Sequence, residues 1–139
     1  MKALILGGVA AGMSAASKLR RLSPDAEIVV LEKGGEVSYG ACGLPYYVAG
    51  LSDDLDAMRI RGVQDFRDSR IDVRLFQEAL RLDAKRKSVL VRNVQDGGVY
   101  AEEYDALLIA VGAEPLRPPI PGAGLPGVHV LKTLADGEA

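Results

Sequence analysis

The amino-acid sequence predicts an α/β fold in which a βαβ unit begins a parallel sheet and an antiparallel β-meander is inserted further along the chain. Three observations lead to this prediction. An apolar run, Lys2–Leu6, ends in two glycines and precedes a helical pattern over Ala10–Leu22. A second strand-like run, Glu27–Leu31, completes the unit. Later strand-like runs are separated by short polar turns, which is typical of antiparallel hairpins.

The composition is that of a folded, water-soluble domain. The chain has 139 residues, of which 48% are hydrophobic and 26% charged, which is enough apolar material to bury a core. The net charge of −2 offers no bulk attraction for nucleic acid, and the apolar runs are too short for a membrane span or a signal peptide. A single cysteine excludes a framework of disulfides within the chain and predicts a reducing, cytoplasmic setting.

The helix predicted over Ala10–Leu22 carries two distinct faces. One apolar face is expected to pack on the sheet and consists of Gly12, Ala15, Ala16, Leu19 and Leu22. A polar stripe with the spacing i, i+4, i+7 consists of Ser14, Lys18 and Arg21. The simplest interpretation of this stripe is a solvated surface, because most charged side chains lie in water.

The middle of the chain alternates between irregular and regular patterns. Residues 34–54 are rich in glycine and predicted to be irregular, apart from a short helix that begins near Cys42. A helix is predicted over Gly62–Arg70. The strand-like runs that follow are Ile71–Leu75, Glu78–Leu82, Ser88–Val94 and Val99–Tyr104. Leu107–Val111 is predicted as a further buried strand that ends at Gly112.

The last part of the chain is dominated by proline. Residues 115–126 contain five prolines and are predicted to form an irregular surface connection. They lead into the strand-like apolar run Val128–Leu131, which contains the one histidine, His129. We interpret this histidine as structural.

The strand-to-helix turn has the residues of a nucleotide loop, Gly7-Gly8-Val9-Ala10-Ala11-Gly12. Glycine permits the sharp turn and lets backbone amides approach a pyrophosphate at the helix N-terminus. The usual glycines are first, third and sixth, so Val9 makes the match partial, with Gly8 supplying the backbone freedom. Glu32 ends the second strand, where a carboxylate accepts hydrogen bonds from an adenosine ribose. A plain glycine-rich turn is the alternative, but the combined signals favour dinucleotide binding.

Cys42 is the one sulfur nucleophile available, and it lies in Ser38-Tyr39-Gly40-Ala41-Cys42-Gly43-Leu44-Pro45-Tyr46-Tyr47. Without a second cysteine, a disulfide must form with a small-molecule thiol or another chain, or the sulfur must be oxidised to sulfenic acid. The neighbouring glycines leave space for a bulky ring system or substrate. The alternative is a buried structural thiol, which is the common role of a lone cysteine.

Three segments resemble the N-terminal part of the flavin-dependent pyridine nucleotide-disulfide oxidoreductases: residues 7–12, 38–47 and 104–115. The resemblance covers the whole chain and is closest in the single-cysteine branch of coenzyme A-disulfide reductases, to which NADH oxidases and peroxidases are related. It implies a Rossmann-like FAD-binding fold. Members of the family are longer, so residues 1–139 are expected to be an N-terminal FAD-binding segment that is inactive alone. Residues 132–139 resemble the start of the linker to a nicotinamide-binding domain.

The resemblance also implies the cofactor contacts. The residues expected to hold the ADP half of FAD are Gly7, Gly8, Val9, Ala10, Ala11, Gly12, Glu32 and Lys33, with backbone contacts to the adenine from Ala79. The residues expected to lie alongside the flavin are Ala110, Val111 and Gly112. In the full-length protein NAD(P)H would reduce FAD, and the electrons would pass to a mixed disulfide between Cys42 and coenzyme A, which releases the second thiol.

The substrate contacts implied by the resemblance are Ser14, Lys18, Arg21, Ser38 and Arg70, the last in place of a family lysine. Lysine and arginine suit the phosphates of coenzyme A. Ala41 departs from the family, in which coenzyme A-disulfide reductases commonly carry asparagine before the cysteine. The full-length protein is expected to be a homodimer acting on a small molecule, without a metal, nucleic acid or membrane partner.

Two alternatives remain open at the level of the sequence. The first is an NADH oxidase or peroxidase that cycles Cys42 through sulfenic acid. Ala10 disfavours this alternative, because those enzymes carry a histidine at this position of the glycine loop. The second is a catalytically inactive nucleotide-binding fragment.

Overall fold

The computed structural model describes all 139 residues, Met1–Ala139. The chain forms two compact units. The first unit comprises residues 1–39 and 61–111, and the second comprises residues 40–60 and 112–139. None of the helices has the length and apolar character needed to cross a bilayer.

The regular elements in chain order are β1 (Lys2–Leu6), α1 (Ala10–Leu22), β2 (Glu27–Leu31), α2 (Leu44–Val48), α3 (Val63–Asp68), β3 (Asp72–Arg74), β4 (Gln77–Asp83), β5 (Ser88–Asn93), β6 (Val99–Glu103), β7 (Ala106–Ile109) and α4 (Leu134–Glu138). Two single-turn 3₁₀ helices, Ala41–Gly43 and Asp56–Met58, lie in the second unit. The predicted fold class is confirmed, since a βαβ unit begins a parallel sheet and a β-meander is inserted later.

The first unit is built on a four-stranded parallel sheet with the order β3-β2-β1-β7. Leu4 of β1 pairs in register with Val29 of β2 and with Leu107 of β7. Leu4 and Val29 are completely buried, because other elements cover both faces of the sheet. This double burial explains why the central strands read as continuous apolar runs.

Helices α1 and α3 contribute to one face of this sheet, where Met13, Ala16 and Phe66 are buried. Met13, which the predicted apolar face of α1 left out, is only 3% exposed. The predicted face was also wrong at its C-terminal end, where Leu22 is 68% exposed. The reason is length: 13 residues of helix span about 20 Å, whereas a five-residue strand spans about 17 Å. The last turn of α1 therefore extends past the strands that its first turns cover.

The antiparallel sheet, with the order β4-β5-β6, covers the other face of the parallel sheet. Val89 and Val91 of β5 are buried against the apolar residues of β1 and β2. A register shift between Ala79 and Arg81 leaves Leu80 as an extra residue in β4, which is a β-bulge. The meander predicted from the turn residues is therefore present, with one irregularity that the pattern did not indicate.

A buried carboxylate joins the two sheets of the first unit. The side chain of Glu102 in β6 is 8% exposed, and its two oxygens each lie 2.6 Å from a cation, Lys2 of β1 and Arg74 of β3. Burial raises the pKa of Glu102, but the hydrogen bonds from Lys2 and Arg74 outweigh it, so the pKa lies below its ordinary value. The same bond to Glu102 raises the pKa of Lys2.

The second unit packs α2 against α4. Leu44 of α2 and Leu134 of α4 are buried, and a Cβ atom at Gly137 would lie 3.0 Å from Leu44 Cδ2. Thr133 caps α4 by accepting a hydrogen bond from the Asp136 amide, and the Asp136 carboxylate accepts one from the Thr133 amide at 2.7 Å. Residues 132–139, expected to begin a linker, thus contain a capped helix that packs within the second unit.

Several boundaries differ from the predicted ones. The helix predicted to reach Arg70 ends at Asp68, because Arg70 adopts a positive φ of 58° that a helix cannot contain. Strand β3 keeps only three residues of the predicted Ile71–Leu75. The strand-like run Val128–Leu131 pairs with no strand, and residues 115–126 contain neither helix nor strand.

Candidate functional site

The turn between β1 and α1 is a close approach of three backbone segments that only glycine permits. Gly7 has a φ of +104°, and a Cβ atom there would lie 2.2 Å from the Ala110 carbonyl oxygen. A Cβ atom at Gly12 would lie 1.8 Å from the Gly7 carbonyl oxygen. These two glycines therefore hold the start of α1 against β1 and the end of β7.

The N-terminus of α1 is open to an anion. Its N-cap residue, Val9, provides no side-chain hydrogen bond, and the first intrahelical bond runs from the Met13 amide to the Val9 carbonyl at 3.1 Å. The amides of the first turn therefore lack side-chain acceptors, and they lie at the positive end of the helix dipole. A phosphate group supplies the acceptors and the negative charge that such a terminus favours.

Glu32 lies beside this loop, where the sequence predicted a ribose-binding carboxylate. Its Oε2 atom accepts a hydrogen bond from the Gly8 amide at 2.7 Å, and its Oε1 atom accepts one from the Gly34 amide at 2.7 Å. Each carboxylate oxygen has a second lone pair that these bonds leave available. The structure therefore presents a partly buried carboxylate next to the glycine loop, with free acceptor capacity for a diol.

Lys33 and Ala79 lie at the beginning of the meander. The Lys33 ammonium pairs with Glu78 at 3.1 Å, and Arg92 pairs with the other oxygen of the same carboxylate. The hydrogen bond from Arg92 and then that from Lys33 lower the pKa of Glu78. Ala79 borders the β-bulge, where the ladder between β4 and β5 is interrupted. Sequence reasoning missed Glu78, because its partner Arg92 is apparent only from the strand register.

The end of β7 meets the same loop. The Ala110 amide donates to the Leu6 carbonyl at 2.8 Å, so Ala110 continues the pairing with β1. Val111 is the last residue of the first unit, and it is 66% exposed. Gly112 belongs to the second unit and has a φ of +69°.

The polar stripe of α1 faces solvent along its whole length. The side chains of Ser14, Lys18 and Arg21 are exposed and make no hydrogen bond or ion pair within the chain. Other cationic side chains of this unit, by contrast, are paired with carboxylates, as are Lys2, Lys33 and Arg74. Lys18 and Arg21 are therefore available to an external anion.

Ser38 and Arg70 approach α1 from other segments of the first unit. The Ser38 amide donates to the Gly8 carbonyl at 2.9 Å, which holds Ser38 at the glycine loop. The Arg70 carbonyl accepts a hydrogen bond from Arg20 of α1, and the Arg70 side chain is exposed and unpaired. The structure thus places the predicted substrate residues on or beside α1.

Cys42 occupies the middle of the 3₁₀ turn Ala41–Gly43 in the second unit. The turn is closed by a hydrogen bond from the Gly43 amide to the Gly40 carbonyl at 2.9 Å, and it continues directly into α2. The Cys42 thiol is free and exposed. The alternative of a buried structural cysteine is therefore wrong for this chain.

The second unit also contains an open cleft of about 840 Å³. Its polar lining includes Tyr47, Ser52, Asp53, His129 and Asp136. Sequence reasoning did not find this cleft, because its walls come from α2, the loop that follows it, residues 127–131 and α4.

Known proteins are similar to this chain in both sequence and fold. The family described as pyridine nucleotide-disulphide oxidoreductase matches residues 1–139. A protein named NADH oxidase from Methanocaldococcus jannaschii is 36% identical over 140 residues, a match that covers 100% of this chain and 31% of the relative. Coenzyme A disulfide reductase from Staphylococcus epidermidis is 34% identical over 117 residues, covering 84% of this chain and 27% of the relative.

A solved structure described as an NAD-dependent persulfide reductase from A. fulgidus superposes with a TM-score of 0.91 and 41% identity. The superposition covers 99% of this chain and 26% of that chain. The chain thus spans about a third or less of the length of these three relatives. Because the family match extends over every residue and a solved relative has the same fold, the chain belongs to the pyridine nucleotide-disulphide oxidoreductase family.

Proposed function

We propose that this chain is the FAD-binding, thiol-bearing segment of an NAD(P)H-dependent flavoprotein oxidoreductase. Its substrate is coenzyme A disulfide or a related persulfide or polysulfide, reduced through a mixed disulfide with Cys42. The observation that carries the proposal is the exposed thiol of Cys42 between Gly40 and Gly43, in a chain that also builds a dinucleotide loop. Relatives named coenzyme A disulfide reductase and persulfide reductase support the substrate class.

The residues of the first unit fit FAD. The open N-terminus of α1 suits the pyrophosphate, and the carboxylate of Glu32 retains lone pairs for the ribose hydroxyls. Gly7 and Gly12 keep the backbone close enough for this contact, since neither position tolerates a Cβ atom. When bound, FAD supplies two-electron transfer between NAD(P)H and sulfur.

The chemistry of the chain itself is thiol–disulfide exchange at Cys42. The thiolate attacks one sulfur of the substrate, so that a new S–S bond to Cys42 forms while the original S–S bond breaks. The departing thiolate takes up a proton and leaves as the first product. The free Cys42 thiolate returns when two electrons reduce the mixed disulfide and the second thiol leaves. A reducing compartment such as the cytoplasm would keep Cys42 available as a thiol.

Lys18 and Arg21 supply the proposed recognition of coenzyme A. Both cations are exposed and unpaired on one face of α1, at a spacing that lets them contact neighbouring phosphates. Ser14 and Ser38 would add hydroxyl groups at the N-terminal end of the same helix, and Arg70 would add a third cation from the side.

A second candidate function is an NADH oxidase in which Cys42 cycles through sulfenic acid. The relative from Methanocaldococcus jannaschii bears the name NADH oxidase and supports this candidate. Ala10 disfavours it, because a methyl group in the glycine loop offers neither a proton nor a hydrogen bond to a peroxide. We therefore rank disulfide reduction first.

Steady-state kinetics of the protein with its full chain would test the proposal. We expect bound flavin and consumption of NADH or NADPH that depends on coenzyme A disulfide and leaves two free thiols for each dinucleotide oxidised. Cys42→Ser should abolish this turnover while the flavin stays bound, because the sulfur is the proposed nucleophile and the proposed cofactor contacts lie elsewhere. Oxygen-dependent consumption without disulfide would favour the oxidase, and a protein that takes up no flavin would be the inactive fragment.

A further inference from the structure

Met58 contacts the turn that carries Cys42 through both its backbone and its side chain. Its carbonyl oxygen accepts a hydrogen bond from the Gly40 amide at 2.9 Å. Its side chain covers Gly43, where a Cβ atom would lie 3.2 Å from both Sδ and Cε of Met58. From this arrangement we infer that Met58 is a positioning residue, one that sets the direction of the Cys42 thiol. The inference rests on the proposed function of Cys42 as the nucleophile.

The backbone contact fixes the beginning of the turn. Gly40 donates to Met58 and at the same time accepts from the Gly43 amide at 2.9 Å, so both of its peptide groups are engaged. The Leu44 amide donates to the Ala41 carbonyl, which ties the turn to the first residue of α2. Cys42 is the central residue of this turn and has no side-chain hydrogen bond of its own, so its orientation follows that of the backbone.

The side-chain contact fixes the end of the turn. Gly43 has a φ of −78° and a ψ of −22°, which is right-handed helical backbone that alanine adopts without strain. Backbone conformation therefore does not require glycine here, whereas a Cβ atom would be in tight contact with Met58. Methionine suits this role because its unbranched, flexible thioether fills an irregular gap beside a backbone.

Met58 is itself held in place by its own segment. It ends the 3₁₀ turn Asp56–Met58, and its amide donates to the Leu55 carbonyl at 3.1 Å. The Asp54 carboxylate accepts a hydrogen bond from the Ala57 amide at 3.1 Å, which caps this turn. Leu55 is buried and lies near Gly137 of α4. The backbone of Met58 is thus held in place by its own segment, and its side chain extends from there onto Gly43.

A change at Met58 is expected to affect kcat of the proposed reaction and not KM. Thiol–disulfide exchange requires the attacking sulfur to approach along the S–S axis of the substrate, and an error of about 1 Å in such a geometry costs up to about 100-fold in rate. Loosening the turn should lower kcat and leave KM almost unchanged, because the proposed phosphate contacts lie in the first unit. Iodoacetamide is small and is not held in a binding site, so it can approach the exposed thiol from any open side, and alkylation of Cys42 should hardly change.

The experiment uses the flavin-loaded protein with its full chain and four variants: Met58→Leu, Met58→Ala, Gly43→Ala and the double variant Gly43→Ala/Met58→Ala. Gly124→Ala serves as the matched control, because a Cβ atom at Gly124 has no neighbour within 4 Å. For each variant, kcat and KM for disulfide reduction, the flavin content and the alkylation rate of Cys42 are measured.

We expect kcat to fall about 10-fold in Met58→Ala and in Gly43→Ala, with KM and the alkylation rate within about twofold of wild type. Met58→Leu keeps an apolar side chain but lacks the Cε atom that contacts Gly43, so its kcat should lie between those of wild type and Met58→Ala. Gly124→Ala should retain wild-type kcat. The double variant should lose much less than the product of the two single losses, because removing the Met58 side chain makes space for the new methyl group.

Wild-type kcat in Met58→Ala, or losses that multiply in the double variant, would overturn the inference. If Met58→Ala fails to bind flavin, Gly43→Ala decides in its place, and a wild-type kcat there overturns the inference equally. A different result identifies failure of the proposed function itself: turnover retained in Cys42→Ser would show that Cys42 is not the nucleophile, whatever Met58 does.

Discussion

At Gly12 the difference of one methyl group decides whether α1 can start where it does. A Cβ atom there would overlap the Gly7 carbonyl oxygen, at a separation of 1.8 Å. We predict that Gly12→Ala displaces the helix and abolishes retention of FAD. Absorbance of the purified protein measures the flavin content. Gly62→Ala is the control, because a Cβ atom at Gly62 meets its nearest neighbour, Asp65, at an ordinary 3.7 Å. Full flavin content in Gly12→Ala would contradict the role of the loop.

Glu32 is proposed to bind the same cofactor in a different way. Its carboxylate already holds the amides of Gly8 and Gly34 and would also accept the ribose hydroxyls. We predict that Glu32→Ala weakens FAD binding by a few kcal/mol, since hydrogen bonds to a charged group contribute about 1.5–3 kcal/mol each. Titration of the apoprotein with FAD, followed by flavin fluorescence, measures the change. An unchanged dissociation constant would show that the carboxylate only supports the loop.

The stripe on α1 makes a prediction about substrate charge. Removing two exposed cations in Lys18→Ala/Arg21→Ala should raise KM for coenzyme A disulfide by about 3- to 10-fold and flatten its salt dependence. The kcat for coenzyme A disulfide should stay the same, because binding energy that is uniform along the reaction appears in KM alone. Turnover of a small uncharged disulfide should also stay the same, because it has no phosphates for these cations to contact.

The matched control for the stripe is Arg81→Ala/Lys85→Ala. These two cations are also exposed and unpaired, and their removal changes the net charge by the same amount. They lie at β4 and the turn after it, away from α1. If both double variants raise KM equally, the effect comes from net charge, and coenzyme A loses its place as the preferred substrate.

At the scale of the elements, the contact between the two sheets depends on the Glu102 carboxylate. Removing one partner of a buried pair costs about 3–5 kcal/mol, and an exposed pair contributes at most about 1 kcal/mol. Glu102 is 8% exposed, whereas Lys2 and Arg74 are 27% and 34% exposed, so an intermediate cost applies. We predict that Glu102→Gln lowers the free energy of unfolding by about 2–3 kcal/mol at pH 7. Urea unfolding measures it, with exposed Glu103→Gln as the control.

The same carboxylate predicts a dependence of stability on pH. The pKa of Glu102 in the folded chain lies below its ordinary value of 4.5, so the unfolded chain binds the proton more readily. The stabilisation is therefore complete above about pH 5 and is lost as the pH falls through the folded pKa. The difference in unfolding free energy between wild type and Glu102→Gln should shrink between pH 5 and pH 3. A difference that stays constant over this range would show that the carboxylate does not titrate with folding.

At the scale of the whole molecule, the chain contains one glycine loop of the proposed nucleotide-binding type and spans about a third of the relatives reported above. We predict that residues 1–139 alone oxidise no NADH in the presence of FAD and coenzyme A disulfide, because one glycine loop serves one dinucleotide. Dinucleotide consumption measured spectrophotometrically tests this. Sustained turnover by residues 1–139 would mean that the chain binds both nucleotides.

The sequence by itself determined the architecture of the first unit and the position of its glycine loop between β1 and α1. Apolar runs that end in glycine, a helical period of 3.6 and polar turns are local signals in the sequence. They predict the strands and the helix well where the sheet is covered on both faces. The sequence also indicated that Glu32 lies beside the loop, because the end of β2 is next to the loop in any βαβ unit. The resemblance to the oxidoreductase family, now confirmed, rested on the same segments.

Only the tertiary structure decided which residues support these elements. Met58 contacts Gly40 and Gly43 from a separate segment, and Glu102 meets Lys2 100 positions away. Such pairs carry no periodic signal, because their spacing in the chain bears no relation to their distance in space. The exposure of Leu22 arises in the same way, from the relative lengths of a helix and the sheet beneath it. Local pattern predicts an element, whereas packing decides what that element touches.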